Sequence, residues 1–252
     1  MKSKIIFACA IICSVALAAA CGYTFCTRSA FAQGGALIAV AAYIVLLLAS
    51  IPVCDLAHEG GHLFVGACCK MGVKLNNYRP FAPSSVDVNP KGQKNMRGRM
   101  IATSLAGIAV NAAMCIVGAI AACFSGVFGA FCVILPYSAY LFIINAVPDD
   151  RNGASNDGML AHELISLTPS AQVMIAILKV QGMTNSGTKL KDVPEELLSN
   201  LPQLPEDDVN FIILTRLRYE YYLARGDIEL AKKYLSRYKS IEQYLPPEYL
   251  NK

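Results

Sequence analysis

Long stretches without a charged residue dominate the first 148 residues of this chain. The longest covers residues 100–148, which are 49 consecutive uncharged positions. At about 1.5 Å per residue, a helix of that length is far longer than the hydrocarbon core of a bilayer, which is about 30 Å thick. The natural break is Phe124-Ser125-Gly126, which predicts two antiparallel helices over residues 101–123 and 127–147. Such a segment is typical of a membrane protein rather than a water-soluble globule.

Two further apolar segments precede this pair. Residues 5–21 are just long enough to cross a bilayer as a helix, and they also fit a signal peptide because alanines stand near their end. Residues 36–69 would extend about 51 Å as a helix, so one end must project, tilt or bend. Pro52 is the expected position of a bend, since proline removes a backbone donor. Four membrane spans are therefore predicted.

Basic residues flank these spans unevenly. Residues 70–99 contain seven Lys or Arg residues, whereas the connection between the first two spans contains only Arg28 and the connection between the last two contains none. Lys and Arg accumulate on the cytoplasmic side of membrane proteins. We expect an integral protein of a bacterial cytoplasmic membrane, with both termini and the basic loop 70–99 in the cytoplasm. The net charge of +4 is small, and we expect no nucleic-acid partner.

The composition changes at residue 149. Residues 149–252 carry 12 basic and 15 acidic residues, against 10 and 3 before them. The segment RLRYEYYLARGDIELAKKYLSRY predicts a helix, a turn at Gly226, Asp227 as N-cap and a second helix. This pair resembles a single tetratricopeptide unit, which cannot bury its apolar face alone. We expect the pair to pack on a neighbouring helix or on the membrane domain, and this part could recruit a protein partner.

The predicted fold class is all-α, a polytopic membrane protein with about four transmembrane helices and a C-terminal helical soluble domain. Three regions are expected. Residues 1–35 hold the first span and a short external loop, residues 36–160 the membrane core, and residues 161–252 the cytoplasmic helical domain.

Two of the three histidines in the chain stand four residues apart in the motif His58-Glu59-Gly60-Gly61-His62. On a helix, positions i and i+4 share a face, so both imidazoles can bind one metal ion while Glu59 reaches a water bound to it. This is the arrangement of zinc proteases. Ionisable groups in hydrocarbon cost at least ~2.5 kcal/mol each unless they are paired or solvated, and a divalent cation would compensate that cost. The alternative is that these groups snorkel into water at the cytoplasmic end of the helix.

A catalytic zinc also needs a third protein ligand and an open position for water. The residues alone leave two kinds of candidate for the third ligand, namely a carboxylate or His162. Gly60 and Gly61 lower helix propensity and permit close backbone approach, either by a neighbouring helix or by an extended substrate.

Three motifs occur in order along residues 36–160. They are His58, Glu59 and His62 in a membrane helix, SLAGIAVN ending at Asn111 in the third span, and Asn145, Pro148 and the pair Asp157-Gly158 after the fourth. In these motifs the chain resembles the site-2 protease family of intramembrane zinc metalloproteases.

The resemblance implies one Zn²⁺ per chain, with Asp157 as third ligand beside His58 and His62. It implies that Asn111 and Asn145 line the site. It also implies hydrolysis of peptide bonds in or near transmembrane segments of membrane-anchored proteins or peptides, as in regulated intramembrane proteolysis. One feature departs from the family pattern, because Pro148 and Asp157 are nine positions apart, about twice the usual spacing.

Alternatives to this interpretation involve other ligands or no catalysis. If the longer loop keeps Asp157 from the metal, His162 or Glu163 is the fallback ligand. A membrane-anchored protease of the gluzincin type, acting outside the lipid, would use a downstream glutamate, either Glu163 or the pair Glu195-Glu196. A non-catalytic membrane binding or immunity protein would hold the metal only for structure.

Overall fold

The computed structural model describes residues 2–76, 78, 85–151 and 154–245. These residues are mostly helical, which confirms the predicted all-α polytopic class. Four segments are long and apolar enough to span a membrane: Ser3–Arg28, Ala36–Cys68, Met96–Ala121 and Phe128–Ala146. The corresponding helices are α1 (Lys2–Arg28), α2 (Ala36–Cys68), α3 (Met96–Ala121) and α4 (Leu135–Ala146), the last preceded by a 3-10 helix, Phe128–Ile134.

Among the described residues, five more helices follow the spans. They are α5 (Asp157–Ser166), α6 (Pro169–Thr184), α7 (Glu196–Ser199), α8 (Val209–Arg225) and α9 (Ile228–Ile241). The pair α5 and α6 is bent by 93° at its break, and together the two helices are long and apolar enough to form one broken or re-entrant membrane segment. Short 3-10 helices cover Ala30–Gly34, Leu190–Asp192 and Glu242–Tyr244.

Two small antiparallel hairpins were not anticipated from the sequence. In the first, β1 (Lys74–Asn76) pairs with β2 (Ser85–Asp87), with Leu75 opposite Val86. In the second, β3 (Asp150–Arg151) pairs with β4 (Ala154–Ser155). Both lie in connections between helices, where no apolar periodicity marks an element.

The first span is longer than predicted. We expected it to end near Cys21, but α1 continues to Arg28. The added turns are anchored by Phe25, which is fully buried, stacks on Phe31 at a centroid distance of 5.5 Å and contacts Tyr43. Burial of an aromatic side chain therefore outweighs the polar residues that suggested a loop.

The chain divides into two compact units. The first comprises Met1–Gly66, Lys74–Asp87 and Ala102–His162, and the second comprises Ala67–Val73, Val88–Ile101 and Glu163–Lys252. In the first unit, α2 and α3 approach closely at Gly61. A Cβ there would lie 2.9 Å from the carbonyl oxygen of Ala106 and 2.8 Å from a methyl group of Val110. Close contact of this kind is what small residues provide between membrane helices.

The second unit contains the predicted helix pair, α8 and α9. Gly226 ends α8 with φ 82°, and the Asp227 side chain accepts a hydrogen bond from the N–H of Leu230 at 3.1 Å, which caps α9. The pair buries its apolar face against α6 in one core. Its buried members include Val173, Ile177 and Val180 of α6, Phe211, Ile212, Leu214 and Tyr221 of α8, and Ala231 and Ile241 of α9.

Replacing Gly226 by alanine should destabilise the α8–α9 pair by about 1–2 kcal/mol, because a side chain at positive φ is strained. No heavy atom lies within 4 Å of the added Cβ, so the effect isolates backbone strain. Hydrogen exchange of α9 amides in the full-length protein should accelerate by roughly tenfold. Asparagine, which tolerates this conformation better, should cost less. Equal exchange rates in the alanine variant and the wild type would contradict the need for glycine at this positive φ.

Candidate metal centre

The two histidines of the HExxH motif lie on one face of α2. His58, Glu59 and His62 are all buried, with exposed fractions of 7%, 7% and 6%. The Nε2 atoms of the two imidazoles are 3.2 Å apart. Snorkelling into water would require these side chains to be exposed, so that alternative does not fit the structure.

A carboxylate from far along the chain completes the group. Oδ2 of Asp157, the first residue of α5, lies 3.2 Å from Nε2 of His58 and 3.2 Å from Nε2 of His62. The three potential ligand atoms therefore form a nearly equilateral triangle, entirely within the first unit.

The triangle has the dimensions that a tetrahedral metal ion requires. Zinc binds imidazole nitrogen and carboxylate oxygen at about 2.0–2.1 Å, so two ligands of a tetrahedron are about 3.3 Å apart. Oδ2 of Asp157 is buried and has no hydrogen-bond partner among the described residues. An oxygen without a donor, facing two imidazole nitrogens, fits a cation at the centre of the group.

Backbone and side-chain groups of α3 orient the two imidazoles. Nδ1–H of His62 donates to the carbonyl oxygen of Thr103 at 2.7 Å. Because a carbonyl can only accept, Nδ1 carries the proton, and in the neutral imidazole Nε2 of His62 then has a lone pair for a metal. Hydrogen bonds of this kind to the second ring nitrogen are the usual support of metal-binding histidines.

Asn111 contacts the imidazole of His58. Its side-chain amide lies 2.8 Å from Nδ1 of His58, with the nitrogen Nδ2 as the nearer atom, while its Oδ1 has no hydrogen-bond partner among the described residues. Rotation of the amide by 180° would exchange its two atoms, so that Oδ1 accepts from Nδ1–H of His58 and the NH2 group takes the place of Oδ1. Nε2 of His58 would be left as an acceptor toward the triangle, as in His62. Asn111, fully buried, thus lies beside the candidate ligands.

Gly107 is a functional position that the sequence analysis missed. It lies on α3 one turn before Asn111, and a Cβ there would collide with Nε2 of His62 and lie 2.5 Å from Cε1 of His58. The imidazoles therefore occupy the space that a side chain would fill. The sequence could have indicated this role, because Gly107 and Asn111 are four residues apart and therefore lie on one helix face.

The remaining predicted residues have other surroundings. The contact found at Asn145 is made by its backbone carbonyl, which a Cβ on Gly158 would approach to 2.6 Å. Its side chain is half-buried, while His162 is exposed. In the second unit, the Glu195 carboxylate accepts hydrogen bonds from Tyr222 at 3.0 Å and Arg225 at 2.7 Å. Burial and this neighbouring carboxylate raise the pKa of Tyr222 to about 12.

One further ionisable group lies on the same helix as the histidines. Asp55 is half-buried one turn before His58, and its Oδ1 accepts a hydrogen bond from the Tyr137 hydroxyl of α4 at 3.0 Å. A carboxylate in an apolar helix needs such a partner. Asp55 is not one of the three grouped ligands.

Comparison with protein-family models, curated proteins and solved structures finds no match to this chain.

Changing Gly107 to alanine should weaken metal binding by at least about tenfold, because both imidazoles must move away from the added Cβ. Isothermal titration of the detergent-solubilised protein with Zn²⁺ measures the effect. Gly60 offers a matched control on α2, since no heavy atom lies within 4 Å of a Cβ at that position. Gly60→Ala should bind Zn²⁺ as the wild type does. If the two alanine variants bind equally, Gly107 does not shape the site.

Proposed function

We propose that this protein is an intramembrane zinc endopeptidase that cleaves membrane-anchored proteins or peptides, as its resemblance to site-2 proteases implies. One observation carries the proposal. The triangle of His58, His62 and Asp157 includes two imidazoles from α2, a helix apolar enough to span a membrane, with Glu59 buried beside them. A structural zinc site would need four protein ligands, whereas the described residues group only three and so leave one position for water.

Each residue has a distinct role in the proposed reaction. The two imidazoles and the Asp157 carboxylate would hold Zn²⁺, which would activate a water molecule for attack and polarise the scissile carbonyl. Glu59 accepts a proton from the attacking water and passes it to the departing amine. Asn111 acts through His58, as its hydrogen bond indicates. Asn145 remains a candidate for substrate positioning.

The substrate must be unwound at the bond that is cut. A helical peptide shields its carbonyls behind internal hydrogen bonds, and these can be released only inside protein or in a wet cavity. The three grouped residues therefore need access to water, and the Asp157 side chain, which is 22% exposed, is the most accessible of the three.

The cut should fall near the cytoplasmic end of the substrate's membrane segment. The metal ligands lie toward the C-terminal end of α2, about 33 Å of helix beyond Ala36. The excess of Lys and Arg in residues 70–99 supports a cytoplasmic location of that end, and with it a place in a bacterial cytoplasmic membrane with both termini inside.

Metal removal tests the proposal. Protein stripped with a chelator should lose cleavage of synthetic transmembrane peptides in detergent, and one equivalent of Zn²⁺ should restore it. Mass spectrometry of the products should place the cut in the cytoplasmic half of the peptide. A cut in the outer half would refute the location of the site. Stoichiometric zinc without cleavage of any peptide would favour a non-catalytic binding or immunity protein.

A further inference from the structure

The spacing between Pro148 and Asp157 is longer than in the family that the chain resembles, yet Asp157 reaches both histidines. The hairpin of β3 and β4 accounts for this. Asp150 pairs with Ser155 and Arg151 with Ala154, so Ser155 lies beside Asp150 although it comes five positions later in the chain. The start of α5 is therefore only as far from Pro148 as a shorter connection would place it.

Asn156 lies directly after β4 and bonds to the residue that precedes β3. Its backbone N–H donates to the carbonyl of Asp149 at 3.1 Å, and the N–H of Asp149 donates to Oδ1 of Asn156 at 3.2 Å. The same Oδ1 accepts from the N–H of Met159 at 2.8 Å, which caps the first turn of α5.

The amide nitrogen of Asn156 reaches in the other direction, to the end of α4. Nδ2 donates to the carbonyl oxygens of Ile144 at 2.6 Å and Val147 at 2.8 Å. One side chain thus binds three segments: the last turn of α4, the base of the hairpin and the first turn of α5. These contacts all lie in the first unit.

Gly158 shows how closely the two helix ends meet. A Cβ on Gly158 would lie 2.6 Å from the carbonyl oxygens of both Asn145 and Ala146. Asp157 lies between Asn156 and Gly158 in the chain, so its backbone is restrained on both sides.

We propose that Asn156 is the positioning residue that holds Asp157 at the metal, by fastening the start of α5 to the end of α4. This role rests on the proposed function. Asparagine is suited to it because its amide both donates and accepts, whereas serine could cap α5 but is too short to reach the α4 carbonyls as well.

The test compares Asn156→Ala and Asn156→Ser in the full-length, detergent-solubilised protein by titration with Co²⁺. Both variants should bind Co²⁺ about 10- to 100-fold more weakly than the wild type. Hydrogen exchange in the metal-free protein provides a second measurement. The Met159 amide should exchange faster in the alanine variant, and serine should restore most of its protection.

Asn185 supplies a matched control in the second unit, where its amide donates to Asn89 and to the carbonyl of Pro90. Asn185→Ala should bind Co²⁺ within a factor of about three of the wild type. Wild-type affinity in either Asn156 variant would overturn the positioning role and leave the proposed function standing. Unchanged exchange at Met159 in Asn156→Ala would also overturn it. A wild-type protein that binds no Co²⁺ would overturn the proposed function, and this role with it.

Discussion

Replacing Glu59 by glutamine is expected to lower kcat for peptide cleavage by about 10²- to 10⁴-fold while zinc stays bound. The amide has the shape of the carboxylate but cannot accept a proton from the attacking water. Glu59 is not among the three grouped ligands, so the metal should remain. Cleavage of a transmembrane peptide gives the rate, and elemental analysis of the same sample gives the zinc content.

Asp55→Asn is the matched control for this variant. It removes another carboxylate from α2, one turn away, and the Tyr137 hydroxyl can donate to an amide oxygen as it does to Oδ1 of Asp55. We expect activity within about threefold of the wild type. Equal rates for Glu59→Gln and the wild type would exclude Glu59 as the general base. A zinc-containing wild type as inactive as Glu59→Gln would support the non-catalytic alternative.

Physical rules of short range explain what could be predicted from the sequence. The apolar runs determine the spans because an uncharged helix must be buried in lipid or protein. The pairing of His58 and His62 follows from helix periodicity, and it needs no knowledge of the rest of the fold. The turn at Gly226 followed by the cap at Asp227 is likewise local, and the structure confirms it.

Contacts across the fold explain what could not be predicted. Periodicity offers no means of bringing Asp157 to α2, and only the family resemblance pointed to it. The position of α5 after the long connection depends on hydrogen bonds between Asn156 and three separate segments, where its Oδ1 accepts from two of them and its Nδ2 donates to the third. Thr103 contributes a backbone carbonyl, a group that every residue has, so no side-chain motif marks it. The extension of α1 depends on burial of Phe25 against residues beyond the helix.

Asp157→Ala should weaken zinc binding by about 10³-fold and abolish cleavage. Structural zinc sites release roughly 10–16 kcal/mol on binding, so loss of one of three ligands removes several kcal/mol of it. The change also leaves two imidazole nitrogens 3.2 Å apart without the neighbouring carboxylate. Titration with Zn²⁺ and cleavage of a transmembrane peptide provide the two measurements.

His162→Ala and Glu163→Ala are the controls on the same helix, one turn or more beyond Asp157. Neither the His162 nor the Glu163 side chain belongs to the ligand group around His58 and His62, so both variants should keep stoichiometric zinc. Retention of zinc and activity by Asp157→Ala would contradict the proposed ligand set. If His162→Ala or Glu163→Ala then lost zinc, that residue would be the third ligand. Loss of zinc only in a Glu195 or Glu196 variant would favour the gluzincin alternative. That alternative requires one of these two carboxylates to bind the metal, although Glu195 accepts a hydrogen bond from Arg225 in the structure.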